Sequence, residues 1–235
     1  MVVVDRDQLD GWLARLRGPS FVDFATFEAA AAAADEQRDA AVVEMRAAGA
    51  DALFPFLVPM LAGDNEARCE ACEAILRADP VRGLELVLPL LNDLDDGVRY
   101  FACECLAEFG GEVAVPALLS VLRSHTDPSL RCTAAMGLGK QGGPEVIPAL
   151  LAAMASDHEF DELGHSPSHC ASSALDDVLG TEETRLRFGN FCRLPDREPD
   201  LDRLRRLAEE RYRQWQAGSE PGDGADGGGT NLSRA

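Results

Sequence analysis

Residues Val115–Gly142 read VPALLSVLRSHTDPSLRCTAAMGLGKQG, and their apolar spacing decides the fold. Leu118, Leu119 and Leu122 recur at i, i+1 and i+4, the face of one helix, and Leu130, Ala134 and Leu138 recur at intervals of four on a second. Asp127-Pro128 stands between them. An Asp at that point accepts from the unpaired N–H groups of a first helical turn, and a Pro just inside the start loses no hydrogen bond. The segment therefore encodes a helix A, a short turn and a helix B, closed by Gly142.

Working outward, the same pattern recurs. Arg131 has counterparts at Arg99 and Arg68, steps of 32 and 31 residues. Four residues before each stands an Asp (Asp64, Asp95, Asp127), and three after it an Ala (Ala71, Ala102, Ala134). Seven after it comes a branched aliphatic residue: Ile75, Leu106 or Leu138. Upstream of each Asp lies a helix A triplet: Leu57/Val58/Leu61, Leu86/Val87/Leu90 and Leu118/Leu119/Leu122, with a fourth at Leu150/Leu151/Met154. Pro55, Pro116 and Pro148 precede three of these triplets and are expected at helix starts, while Pro59 and Pro89 are expected to kink their helices. Gly110, Gly139 and Gly142–Gly143 suit helix stops. The fourth unit has Ser168 in place of Arg and a longer turn over 156–165, with helix B predicted at Pro167–Leu179 behind a Ser166 cap. Toward the N-terminus Arg38, Ala41 and Met45 keep the helix B register, 21–33 is a plausible helix A, and Leu9, Trp12, Leu13 and Leu16 mark a further amphipathic helix. A fixed period of about 30 residues is the mark of stacked units that bury their faces only against neighbours.

These residues resemble the HEAT repeat family and its bacterial HEAT-like members. The resemblance is good over about 51–180 and weak over 21–50. It implies an all-α fold, a right-handed α-solenoid of about five stacked helix hairpins with atypical helical caps, helix B lining the concave side. It also implies a structural ladder in which Asp64, Asp95 and Asp127 and Arg68, Arg99 and Arg131 tie neighbouring turns. The expected organisation is one solenoid over 1–218: an N-terminal cap and degenerate repeat at 1–50, four repeats at 51–180 and a C-terminal helical cap at 181–218. A low-complexity Gly/Asp tail at 219–235 is expected to be disordered.

The chain has 235 residues and a net charge of −19, with 41 Asp plus Glu against 22 Lys plus Arg. Nearly all the excess falls in residues 1–180, which carry −18, whereas 181–218 hold nine Arg against eight acids. So acidic a body argues against nucleic acid and against an anionic membrane surface as partners. The longest apolar run, 52–62, is about half of the ~20 residues a membrane span needs. MVVVDRDQLDGW does not read as a secretory signal, and seven scattered cysteines read as reduced thiols, so a cytoplasmic location is expected.

Catalytic signatures are missing. Cys69-x-x-Cys72 is half of a zinc motif within helix B, and its cysteines read as small core filling. The fourth-unit turn gathers His158, His165 and His169 with Asp157, Glu159, Asp161 and Glu162, the one plausible place for a metal, but without helical ligand spacing. No cofactor is expected. The outward face of helix B carries Glu70, Glu73, Phe101, Glu104, Glu108 and Met136, carboxylates with apolar anchors among them. The sequence thus predicts a non-enzymatic scaffold or adaptor that binds a basic protein on an acidic concave surface. The alternative is a phycobilin-lyase-like or metal-assisted enzyme subunit on a HEAT-like scaffold.

Overall fold

The computed structural model describes residues 4–17, 27–161, 164–180 and 201–219, and all regular structure among them is helical. Helix α1 (Arg6–Arg17) packs on α2 (Phe27–Ala48) through Leu9, Trp12, Leu13 and Leu16, all buried. The expectation of a helix A over 21–33 separate from the register of Arg38, Ala41 and Met45 is corrected. From Phe27 onward the chain is one helix of 22 residues, and residues 18–26 lie outside the described set. No Gly or Pro interrupts Phe27–Ala48, and its alanine run has the highest helix propensity available. The break comes at Gly49, whose φ of 86° lies in the left-handed region that favours glycine.

The hairpins follow as helix A and helix B: α3 (Ala50–Met60) with α4 (Asn65–Ala78), then α5 (Pro80–Val87) with α6 (Asp96–Phe109), α7 (Val115–Ser124) with α8 (Pro128–Gln141), and α9 (Ile147–Ser156) with α10 (Pro167–Leu179). The B helices pack in a row, α4 on α6, α6 on α8 and α8 on α10. This is an all-α solenoid. Its core is continuous through the stack: Leu53, Ile75, Leu106, Leu118, Leu138 and Leu150 are fully buried in one apolar cluster.

Proline and glycine positions were only partly legible. Pro116 and Pro148 sit in the first turns of α7 and α9, but Pro55 lies in the interior of α3, with Pro59 further along the same helix. Helix A of the second unit stops at Val87 and continues as a 3-10 segment, Leu88–Asn92, because Pro89 cannot donate to the helical ladder. Gly110 and Gly142 end α6 and α8, whereas Gly139 is no stop: it is buried inside α8. A Cβ at Gly139 would lie 2.8 Å from the Cα of Ala174 in α10, and one at Gly137 would lie 2.8 Å from the Cα of Ala107 in α6. Close approach of neighbouring B helices outweighs the helix-propensity cost of these glycines.

Helix α11 (Leu201–Ser219) closes the described chain, laying Leu204 and Ala208 onto α9 and α10. Leu201 and Trp215 of the same helix are exposed, and Trp215 stacks on Tyr212 with ring centroids 5.7 Å apart. The Gly/Asp tail lies outside the described residues.

Candidate functional site

The turn edge of the stack is built first, because it sets the register of the B helices. Asp64, Asp95 and Asp127 each precede a B helix and accept from the N–H of Ala67 (2.9 Å), Val98 (3.0 Å) and Ser129 (2.8 Å). With one oxygen of each carboxylate capping its own helix, the arginine links between turns run elsewhere. Arg68 reaches the Asp93 carboxylate of the following turn, Nε to Oδ2 at 3.0 Å, and Asn65 donates to Asp95 at 2.6 Å. Arg131 forks onto Asp157, at 2.7 and 3.0 Å, and adds Glu159 at 2.8 Å. It also donates to the carbonyls of His125 and Thr126 in its own turn. Arg99 reaches no carboxylate of the turn that follows; it donates to the Asp93 carbonyl at 2.7 Å and pairs with Asp96 on its own helix. The position equivalent to Asp93 is there His125, whose Nδ1 accepts from the Asp127 N–H at 3.1 Å just as Asp93 Oδ1 accepts from the Asp95 N–H at 3.0 Å.

The fourth turn is stitched to itself and to Arg131. Ser168, where an Arg stands in the other units, donates its hydroxyl to the Met154 carbonyl and its N–H to the Asp157 carbonyl, both at 2.7 Å. The His165 N–H donates to Asp161 Oδ1 at 2.7 Å, and the Asp161 N–H returns to the His165 carbonyl at 2.7 Å. His158 and His169 are exposed and His165 is half-buried. Asp157 and Glu159, the carboxylates nearest His158 in sequence, are engaged by Arg131. Among the described residues no three His, Cys, Asp or Glu side chains are grouped to hold a metal ion; Glu162 lies outside them.

The outward face of the B helices differs from the uniform acidic strip its residue types imply. Glu70 is half-buried and pairs with Arg17 of α1 at 2.7 Å. Burial pushes its carboxyl above the ordinary value, and the Arg17 guanidinium offsets part of that rise. Glu73 pairs with Arg77 at 2.7 Å; that guanidinium also lies 3.8 Å from the centre of the Phe109 ring. Glu108 pairs with Lys140, the sole lysine of the chain, one unit along. Glu104 is exposed and forms no ion pair with any described residue. Intramolecular pairing thus cancels three of the four candidate carboxylates.

The two apolar anchors are less available than expected: Phe101 and Met136 are half-buried and packed against the core. The residue beside Phe101 was not among the sequence candidates and is the more open aromatic. Tyr100 is 42% exposed and lies one helical turn before Glu104. Burial and the Glu104 charge raise its hydroxyl above the ordinary value. Its i, i+4 spacing to Glu104 was the signal available in the sequence. Tyr100, Glu104 and Met136 therefore form the open middle of the B face, between a salt-bridged end at α1/α4 and the Lys140–Glu108 pair.

A cleft of about 510 Å³ between α1 and the start of α4 is lined by Arg6, Asp10, Arg17, Met60, Glu66 and Glu70 among others. Its charges pair among themselves, Arg6 with Asp10 and Arg17 with Glu66 and Glu70. Among the described residues no helix is long and apolar enough to cross a membrane. A family model described as HEAT repeats matches residues 51–124 and 84–164. No curated protein matches the chain.

Proposed function

This chain is a HEAT-like repeat protein, and on that premise we propose that it is a non-enzymatic scaffold that holds a protein partner on its B-helix face, centred on Tyr100, Glu104 and Met136. The observation that carries the reading is the contrast within that face: Glu70, Glu73 and Glu108 are neutralised inside the chain, and Glu104 beside an exposed tyrosine is not. An open carboxylate flanked by aromatic and thioether surface suits a Lys or Arg side chain, held by charge, by the ring face and by apolar contact with its methylene stem. The partner is a basic protein, and the overall charge of −19 speeds its encounter. Stacked repeats favour such a role because they offer an extended surface without requiring a pocket.

The test is affinity capture followed by cross-linking mass spectrometry with the full chain, comparing Glu104→Lys and Tyr100→Ala with Glu85→Lys, an exposed residue of α5 away from this face. The expected result is cross-links on α6 and α8 and at least a tenfold loss of capture for the first two variants, with Glu85→Lys unchanged. Equal capture by all three defeats the proposal, as does a partner cross-linked only to the A helices.

A further inference from the structure

Helix α1 meets the stack through two unlike contacts. Against α2 it is closely held: Leu9, Trp12, Leu13 and Leu16 are buried, and Arg15 forks onto both Glu44 oxygens at 2.9 and 2.7 Å. The Trp12 indole N–H adds a bond to Glu44 at 2.7 Å. Against α4 it leaves the cleft of about 510 Å³, and Arg17, the last residue of α1, makes the ion pairs that cross it.

Arg17 fits its partners poorly. Its contact with Glu66 is 3.2 Å long, between side chains 54% and 72% exposed. Its Nε stands 2.7 Å from Glu70 Oε1 but off the hydrogen-bond direction, so that buried oxygen accepts no hydrogen bond. Arg15 on Glu44 and Arg131 on Asp157 show the aligned, two-pronged geometry that this contact lacks. A buried carboxylate oxygen without a donor is costly, and an exposed ion pair at a helix end offsets little of that. The cleft is also short of positive charge. Asp10, Asp64, Glu66 and Glu70 line it against Arg6 and Arg17, and Arg6 is engaged by Asp10. Glu70 belongs to the same B face as Glu104, one repeat away. Packed helices stand roughly 8–10 Å apart, a distance that two cationic side chains of one partner segment span.

On the reading of the B face as the partner surface, we propose that Glu66 and Glu70 are a guanidinium subsite at its first-repeat end. Arg17 holds the subsite in the free chain, and an arginine of the basic partner enters from the cleft and displaces it. Arginine suits the site better than lysine because its planar fork reaches both carboxylates at once. The exchange leaves the fold in place, since α1 stays seated on α2 by its buried apolar face. Arg17 is then an intrachain competitor at high effective concentration, and removing it raises affinity for a cationic partner.

The experiment measures binding of fluorescein-labelled nona-arginine to the full-length protein by fluorescence anisotropy, with Arg17→Gln set against Arg123→Gln. Arg123 is exposed on α7 and forms no ion pair with any described residue, so the two variants change the net charge equally. Arg17→Gln should bind the peptide roughly threefold tighter than Arg123→Gln, and adding Glu70→Gln should abolish the gain. Hydrogen exchange over Leu9–Leu16 should match the wild type, with α1 still seated on α2. Equal affinities of Arg17→Gln and Arg123→Gln overturn the proposal, as does a gain that survives Glu70→Gln. Faster exchange over Leu9–Leu16 overturns it too, because the gain would then come from an unseated α1. Glu104→Lys separates the subsite from the wider reading. Weaker peptide binding by Glu104→Lys with no gain from Arg17→Gln removes the subsite and leaves the B-face centre. A gain from Arg17→Gln with no effect of Glu104→Lys keeps the subsite and removes that centre.

Discussion

The junction between the second and third repeats and the junction between the third and fourth are both built from neighbouring B helices and are held differently. At the first, α6 meets α8 with Arg99 confined to its own turn and helix, because His125 occupies the acceptor position of the next turn. At the second, α8 meets α10 with Arg131 buried and holding Asp157 and Glu159. Both junctions nevertheless bring glycine and alanine backbones equally close: at each, a Cβ added to the glycine would lie 2.8 Å from the facing Cα. Apolar packing therefore makes the stack, and a charged rung to the next turn forms where that turn carries a carboxylate at the acceptor position, Asp93 for Arg68 and Asp157 for Arg131, and not where His125 stands opposite Arg99.

The largest effect is expected from an attack on what both junctions share. Leu138 is fully buried in α8, and Leu138→Asp should cost more than about 4 kcal/mol by placing a carboxylate without partners in the core. Hydrogen exchange should show protection lost over a contiguous block from α6 to α10; loss limited to one turn of α8 would contradict a shared core.

The next test separates the junctions. Arg131→Ala leaves the partly buried Asp157 carboxylate without its cation and should cost about 2–4 kcal/mol. Arg99→Ala, which loses one carbonyl bond and an exposed partner, should cost about 1 kcal/mol. Urea denaturation of both variants reads the difference, and equal losses would show that the two rungs are equivalent. The smallest effect is a gain. His125→Asp restores the Asp93-like acceptor opposite Arg99 while keeping a side-chain acceptor for the Asp127 N–H, and should add about 0.5–1 kcal/mol. A loss of stability in the same assay would show that Arg99 does not reach that turn.

The repeat was plain in the residues because each unit must repeat its buried positions to stack on the next: the Asp-x-x-x-Arg spacing and the Ala and aliphatic positions beyond it mark the B helices directly. The ends of elements were less so. Whether Pro55 begins a helix or lies within one depends on where the chain leaves Gly49, and whether Gly139 stops α8 depends on Ala174, 35 residues away. The candidate surface was legible as a set of residue types at one register. Its electrostatics were not, because the cations that cancel Glu70 and Glu108 come from α1 and from the adjoining repeat.

The sequence by itself determined the class of this protein: helix hairpins of about 30 residues, capped by Asp, stacked through Leu and Ala, on a strongly acidic chain. These are local or periodic properties, carried by propensity and spacing along the chain. The tertiary structure alone decided which charges survive at the surface and which arginines link turns. Each of those depends on a partner distant in the chain, and the free energy of a charge is set by the group packed against it.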